Sequence, residues 1–175
     1  MGMGGGIMAR MHMKGLEEYE KALSKMANHT EEIAEAAVYV GAGIMADAMR
    51  TEIEALPVGE GEIIGLPPKA EKGQKISVVS RRQKGDLLNG LGIAKIENTR
   101  GYIQTKVGFN GYGSVKTKKY PNGLPNVVLA RSINSGTSFF NKIPFARRAV
   151  NSSKASAVKA MGEKVEEEIK KVMEG

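Results

Sequence analysis

The run TEEIAEAAVYVGAGIMADAMRTEIEAL, from Thr30 to Leu56, ends against Pro57, and its reading decides the fold. Val38, Ala42, Met45, Met49, Ile53 and Leu56 recur at helical spacing and form one apolar stripe. Val40, Ile44 and Ala48 form a second stripe beside it. So wide an apolar arc predicts a helix buried on more than one side. One small domain hardly covers both sides, so the pattern also predicts self-association. Gly41 and Gly43 each cost about 1 kcal/mol of helix propensity, which close approach of another backbone would offset. Pro57 stops the helix, because the residue before a proline disfavours helical backbone.

Outward from this helix the chain changes character. Toward the N-terminus, Leu16, Tyr19, Leu23 and Met26 predict a separate first helix. Asn28 or Thr30 can cap the next one, and Asn28 with Glu31 has capping-box spacing. Residues 1–11, rich in Gly and Met, are expected to be a flexible leader. On the other side, Gly59, Gly61, Gly65, Pro67, Pro68 and Gly73 predict an extended, mobile arm over 57–84, with one short strand at Ile76–Ser80. A helical turn is expected at Asp86–Leu91. Two strand-like runs, Gly92–Glu97 and Tyr102–Phe109, predict a β-hairpin. A Gly, Pro and Lys-rich loop over 110–125 leads to Asn126–Asn134, which suits a short helix or a strand, with helix preferred. Pro144 opens the last helix as a first-turn residue, with Ala149, Ala157, Met161, Val165, Ile169 and Val172 as its stripe. The fold class is therefore α+β: long N- and C-terminal helices packed on a small, mainly antiparallel sheet, with an extended loop arm. Residues 12–175 form one domain.

The 175 residues contain no Cys and two His, and 41 % are hydrophobic. Disulfides, thiolate metal sites and cysteine nucleophiles are excluded. No nucleophile elbow is formed, since Gly136-Thr137-Ser138 is followed by Phe139 and Phe140 rather than by a second Gly. No phosphate loop or paired-carboxylate site is evident, and neither a catalytic group nor a cofactor is expected. No stretch reads as a membrane span or secretory signal, so a reducing cytoplasm is the expected place of folding. The net charge of +7 is uneven: residues 1–56 carry −4, residues 57–125 carry +7 and residues 126–175 carry +4. Lys69, Lys72, Lys75, Arg81, Arg82 and Lys84 cluster in the arm, and Lys116, Lys118 and Lys119 follow. Such clusters suit phosphate contacts without sequence readout; equally, they suit a solvated loop. No aromatic residue lies between Lys69 and Lys84, so base stacking is poorly supported.

Ala130-Arg131-Ser132-Ile133-Asn134-Ser135-Gly136-Thr137-Ser138, followed by Lys142-Ile143-Pro144-Phe145-Ala146-Arg147-Arg148-Ala149, resembles a signature of phage tail-completion proteins, which join heads to tails at the neck of long-tailed phages and prophages. The N-terminal Lys14-Gly15-Leu16 and the basic, Gly-rich middle ending in Val107-Gly108-Phe109 are similar to the same family. Arg148 departs from it, standing where many members have Pro. The resemblance implies a structural protein that forms a ring, six subunits by tail symmetry, between the connector or stopper and the tail terminator or tail tube. In the stretch that carries the resemblance, Gly136, Thr137, Pro144, Phe145 and Arg147 are expected at assembly contacts; Pro144 also fixes the entry to the last helix, Phe145 anchors that helix on the sheet, and Arg147, being charged, pairs with an acidic group of its own or an adjacent subunit. The resemblance also implies passage of double-stranded DNA, a location in the virion and no membrane. The alternative from another class is a sequence-independent nucleic-acid-binding protein using the basic arm. An enzyme whose site is not visible in sequence is a third.

Overall fold

The computed structural model describes residues 16–59, 73–114, 116 and 118–174. The leader 1–11 and the arm positions Lys69 and Lys72 lie outside the described residues. The elements run α1 (Leu16–Glu54), α2 (Arg81–Gly90), β1 (Leu91–Ile93), β2 (Glu97–Thr99), β3 (Tyr102–Gln104), β4 (Val107–Phe109), α3 (Asn126–Ser135) and α4 (Phe145–Glu174). The class is α+β, with long helices at both ends and a small antiparallel strand set, as the sequence predicts.

Helix α1 is one helix of 39 residues, not two. At the expected break, Thr30 and its neighbour His29 bond back to the helix instead. The Thr30 hydroxyl donates to the Met26 carbonyl at 2.9 Å, and His29 Nδ1 bonds the Lys25 carbonyl at 2.8 Å. Each side chain thus satisfies a carbonyl one turn back and leaves the helix unbroken. At about 1.5 Å per residue, α1 is roughly 58 Å long.

Helix α4 runs antiparallel along α1. Arg148 Nε meets Glu52 Oε2 at 2.7 Å near one end, and Gly41 lies against Met161 further along. A Cβ at Gly41 would sit 2.6 Å from the Met161 sulfur, so the Met161 side chain fills the space that this glycine leaves. The hairpin flanks α1 on another side. Leu91 pairs with Phe109 and Ile93 with Val107; Glu97 then pairs with Gln104 and Thr99 with Tyr102. Between the two ladders Lys95 and Ile96 oppose Thr105 alone, the one-residue excess of a β-bulge. Arg100 and Gly101 close the hairpin with positive φ at both positions (56° and 81°), the pattern of a type I′ turn. The Asn98 amide then donates to Glu31 Oε1 at 2.6 Å, which fixes the hairpin tip on α1.

Ala42, Met49, Ile53 and Leu56 are buried and the other stripe residues half-buried within one chain, with α4 on one side of α1 and the hairpin and core on another. The stripes alone therefore do not carry the prediction of self-association. The core joins all layers: Met49 and Ile53 of α1, Leu56 just beyond its end, Leu87 of α2, Leu91 of β1, Leu129 and Ile133 of α3, and Phe145 and Ala149 of α4.

The segment over 57–84 is not an arm throughout. Val79 N donates to the Pro57 carbonyl at 2.9 Å, and Gly59 N returns a bond to Val79 at 3.1 Å. Ile76 is bridged in the same way to Phe139 and Asn141. The predicted strand Ile76–Ser80 is thus an extended run tied on two sides by isolated bridges. Helix α2 starts at Arg81, five residues earlier than the turn expected at Asp86. Ser80 is fully buried and accepts from Gln83 N, while Gln83 Oε1 accepts from Ser80 N, a complete capping box. Residues 60–72, the remainder of the predicted arm, lie outside the described residues.

Candidate assembly surfaces

The stretch from Gly136 to Phe145 is the joint between α3 and α4. Gly136 ends α3 with φ 78° and ψ 169°, a backbone region essentially restricted to glycine. The Thr137 hydroxyl oxygen accepts from Phe140 N at 3.1 Å, and Thr137 N donates to the Phe140 carbonyl at 2.9 Å. This tight turn buries Phe140 and leaves Phe139 58 % exposed. Pro144 stands one position before α4 rather than inside it, and its carbonyl accepts the first helical bond from Arg148 N at 3.1 Å. Pro144 has no side chain to cap with; Asn134 Oδ1 reaches across from α3 and accepts from Ala146 N at 3.2 Å. Phe145 is fully buried, edge-on to Phe109 with ring centres 6.2 Å apart. Gly136, Thr137, Pro144 and Phe145 thus all hold the fold.

Arg147 is different. It is exposed on the first turn of α4 and has no ion pair among the described residues. Its neighbour Arg148 takes the pairing, to Glu52.

The basic residues separate as well. Lys75, Arg81 and Arg82 are exposed. Lys84 is not free to meet DNA: its ammonium donates to the Glu54 carbonyl and, at 3.3 Å, to the Leu56 carbonyl. It caps the C-terminus of α1, where unpaired carbonyls and the helix dipole both favour a cation. Lys84→Met should therefore cost about 1 kcal/mol, or roughly 2–4 °C in melting temperature, while Lys75→Met leaves melting unchanged. Thermal melts of the two variants check this; equal melting temperatures would contradict the capping role.

A groove of about 410 Å³ opens beside this joint, between α2, α3 and the loop that follows β4. Tyr120, Leu124, Val128, Leu129 and Phe139 supply its apolar walls, and Lys119 stands at its edge. The loop is closed by Gly113 N donating to the Leu124 carbonyl at 2.7 Å. Asp86 braces it, accepting from Ser114 N at 2.9 Å and from the Ser114 hydroxyl at 3.2 Å. Val127 and Phe139, both more than half exposed, extend the apolar surface. Sequence reasoning missed this groove. Its available signal was the Phe139-Phe140 pair after a tight turn, of which only one ring can turn inward.

The second unpartnered apolar surface is the start of α1. Glu174 lies thirteen residues beyond Met161 in α4, so it comes level with Asn28, thirteen before Gly41. The hairpin tip reaches only to Glu31. The first turns of α1 therefore project past both partners, with Tyr19 69 % and Leu23 54 % exposed.

Among the described residues, no group of three His, Cys, Asp or Glu side chains converges as a metal site would. None of their helices is long and apolar enough to cross a membrane. The only titratable groups among them with resolved shifts lie along α4. Lys171, chiefly through Glu167, and Lys164, chiefly through Glu168, are raised above the ordinary lysine value. The two carboxyls are held below theirs by the same hydrogen bonds. These are exposed or half-buried i,i+3 and i,i+4 pairs that support a helix. Comparison with protein-family models, with curated proteins and with solved structures finds no match to the chain.

Proposed function

We propose that the protein is a structural component of the head–tail neck of a long-tailed phage or prophage. In this reading it is a tail-completion protein that forms a ring, with six subunits by tail symmetry, between the connector or stopper and the tail tube. It acts in head–tail joining, leaves a passage for double-stranded DNA, and resides in the virion after assembly in the host cytoplasm. The observation that carries the reading is the joint from Gly136 to Phe145. The residues that resemble the family's signature are those that connect α3 to α4 and seat Phe145 in the core. Two exposed apolar surfaces, one at the start of α1 and one near its far end, agree with an assembly role. The alternative, DNA binding through the basic arm, loses one of its six cations to the end of α1.

Arg147 supplies the test, being exposed and unpaired where the resemblance expects a contact. Arg147→Ala should leave the melting temperature of the purified protein unchanged and sharply reduce the yield of joined particles. Joined heads and tails at wild-type yield would remove Arg147 from the interface. Co-purification with connector or tail proteins supports the neck reading. Tight binding to double-stranded DNA that weakens steeply between 50 and 200 mM salt would support the alternative instead.

A further inference from the structure

We propose that the groove between α2, α3 and the 113–124 loop receives the first turns of α1 from a second copy of this chain, so that copies join head to tail. The inference rests on the ring-forming part of the proposed function and names the two surfaces that would make the contact.

Leu16, Tyr19, Leu23, Met26, Thr30, Ile33 and Ala37 alternate at three- and four-residue steps, the spacing of a helix–helix seam. From Ile33 onward this seam is buried; at Tyr19 and Leu23 the same seam continues with nothing against it among the described residues. Apolar side chains at i and i+4 are the anchors a helix lays into an apolar groove. The groove, at about 410 Å³, has the size and apolar lining of clefts that accept such anchors.

The chain cannot fill its own groove. Lys84 of α2 is bonded to Glu54 at the far end of α1, 31 residues from Leu23, or roughly 46 Å along the helix. The occupant must come from another molecule. Charge favours a second copy: Glu18 and Glu20 flank Tyr19, while Lys119 lines the groove and Lys116 and Lys118 are exposed in the same loop. Opposite charges across an interface steer and orient association. Asp86, the acidic group in the groove, is already engaged by Ser114. Because the two surfaces are different patches, the contact is heterologous, and its repetition gives a closed ring or a filament according to the rotation per copy.

The absence of cysteine makes the test clean. Leu23→Cys and Val128→Cys are made separately in the full chain, both at partly or largely exposed positions. Their folding is verified by far-ultraviolet circular dichroism before oxidation. Mixing the two should yield a disulfide-linked pair containing one of each, while either variant alone stays unlinked. A chain carrying both substitutions should give a ladder of linked species. Tyr19→Glu added to the Leu23→Cys chain should cut the linked product about tenfold or more, the scale of a lost anchor. Preferential linking of Leu23→Cys chains to one another, or no mixed product at millimolar protein, would overturn the proposal. The two readings fail separately. Loss of cross-linking with particle joining still dependent on the protein removes these surfaces and leaves the neck reading. A clear ladder from a protein dispensable for joining does the reverse.

Discussion

Phe145→Ala is expected to lower the melting temperature of the isolated protein by about 6–20 °C, the largest loss from any single side chain in the fold. The ring is fully buried at the point where α1, α2, α3 and α4 share one core, and it stacks edge-on to Phe109. Truncating such a residue removes its transfer free energy and leaves a cavity, together about 3–5 kcal/mol. At 175 residues each kcal/mol corresponds to roughly 2–4 °C. The loss is a large share of a domain's net stability. Phe145→Leu, which keeps much of the volume, should cost less than half as much. Differential scanning calorimetry on the three proteins checks the order. A Phe145→Ala melt within 2 °C of wild type, a shift worth at most about 1 kcal/mol, would mean that the α3–α4 joint does not depend on this ring.

The second large effect is expected at Gly123. Its φ is 98°, and a Cβ there would lie 1.9 Å from the Gly113 carbonyl oxygen. That oxygen is backbone, and the N–H of the same residue closes the loop on the Leu124 carbonyl, so it cannot step aside as a flexible side chain does. Left-handed strain and overpacking together predict a loss of about 2–4 kcal/mol for Gly123→Ala. Gly43 is the control. An added Cβ there meets nothing within 4 Å, and alanine is the better helix former, so Gly43→Ala should gain about 0.5–1 kcal/mol. The same substitution thus changes sign with its surroundings. Denaturant unfolding measures both; a stability gain at Gly123 would contradict the closed loop that walls the groove.

The long periodic elements were legible because their period survives any tertiary arrangement. Helix α4 follows from spacing and Pro144, and the hairpin from its two strand-like runs, although Asn98 and Thr99, which read as part of the connecting loop, belong to β2 and leave Arg100-Gly101 as the turn. The junction between the predicted first and second helices does not exist in the structure, because a residue such as Thr30 can cap a new helix or bond back within an old one with the same local sequence. Only the neighbouring turns decide which. Helix α2 was hidden because its sequence, RRQKGDLLNG, is polar and contains Gly85, while its start is set by the Ser80–Gln83 capping box. Lys84 read as one of six basic groups because sequence shows charge but not the α1 carbonyls that its ammonium meets. The stripe Leu16-Tyr19-Leu23-Met26 was visible as apolar. Its lack of cover depends on where α4 and the hairpin stop, which no local pattern states.

The neck assignment is tested most directly by imaging particles made without this protein. Its coding sequence is removed from the genome that carries it, and any phage particles released are examined by electron microscopy. The account predicts filled or emptied heads and complete tails lying separate, with joined particles restored when the protein is supplied in trans. Joined, tailed particles at the normal yield in its absence would contradict it.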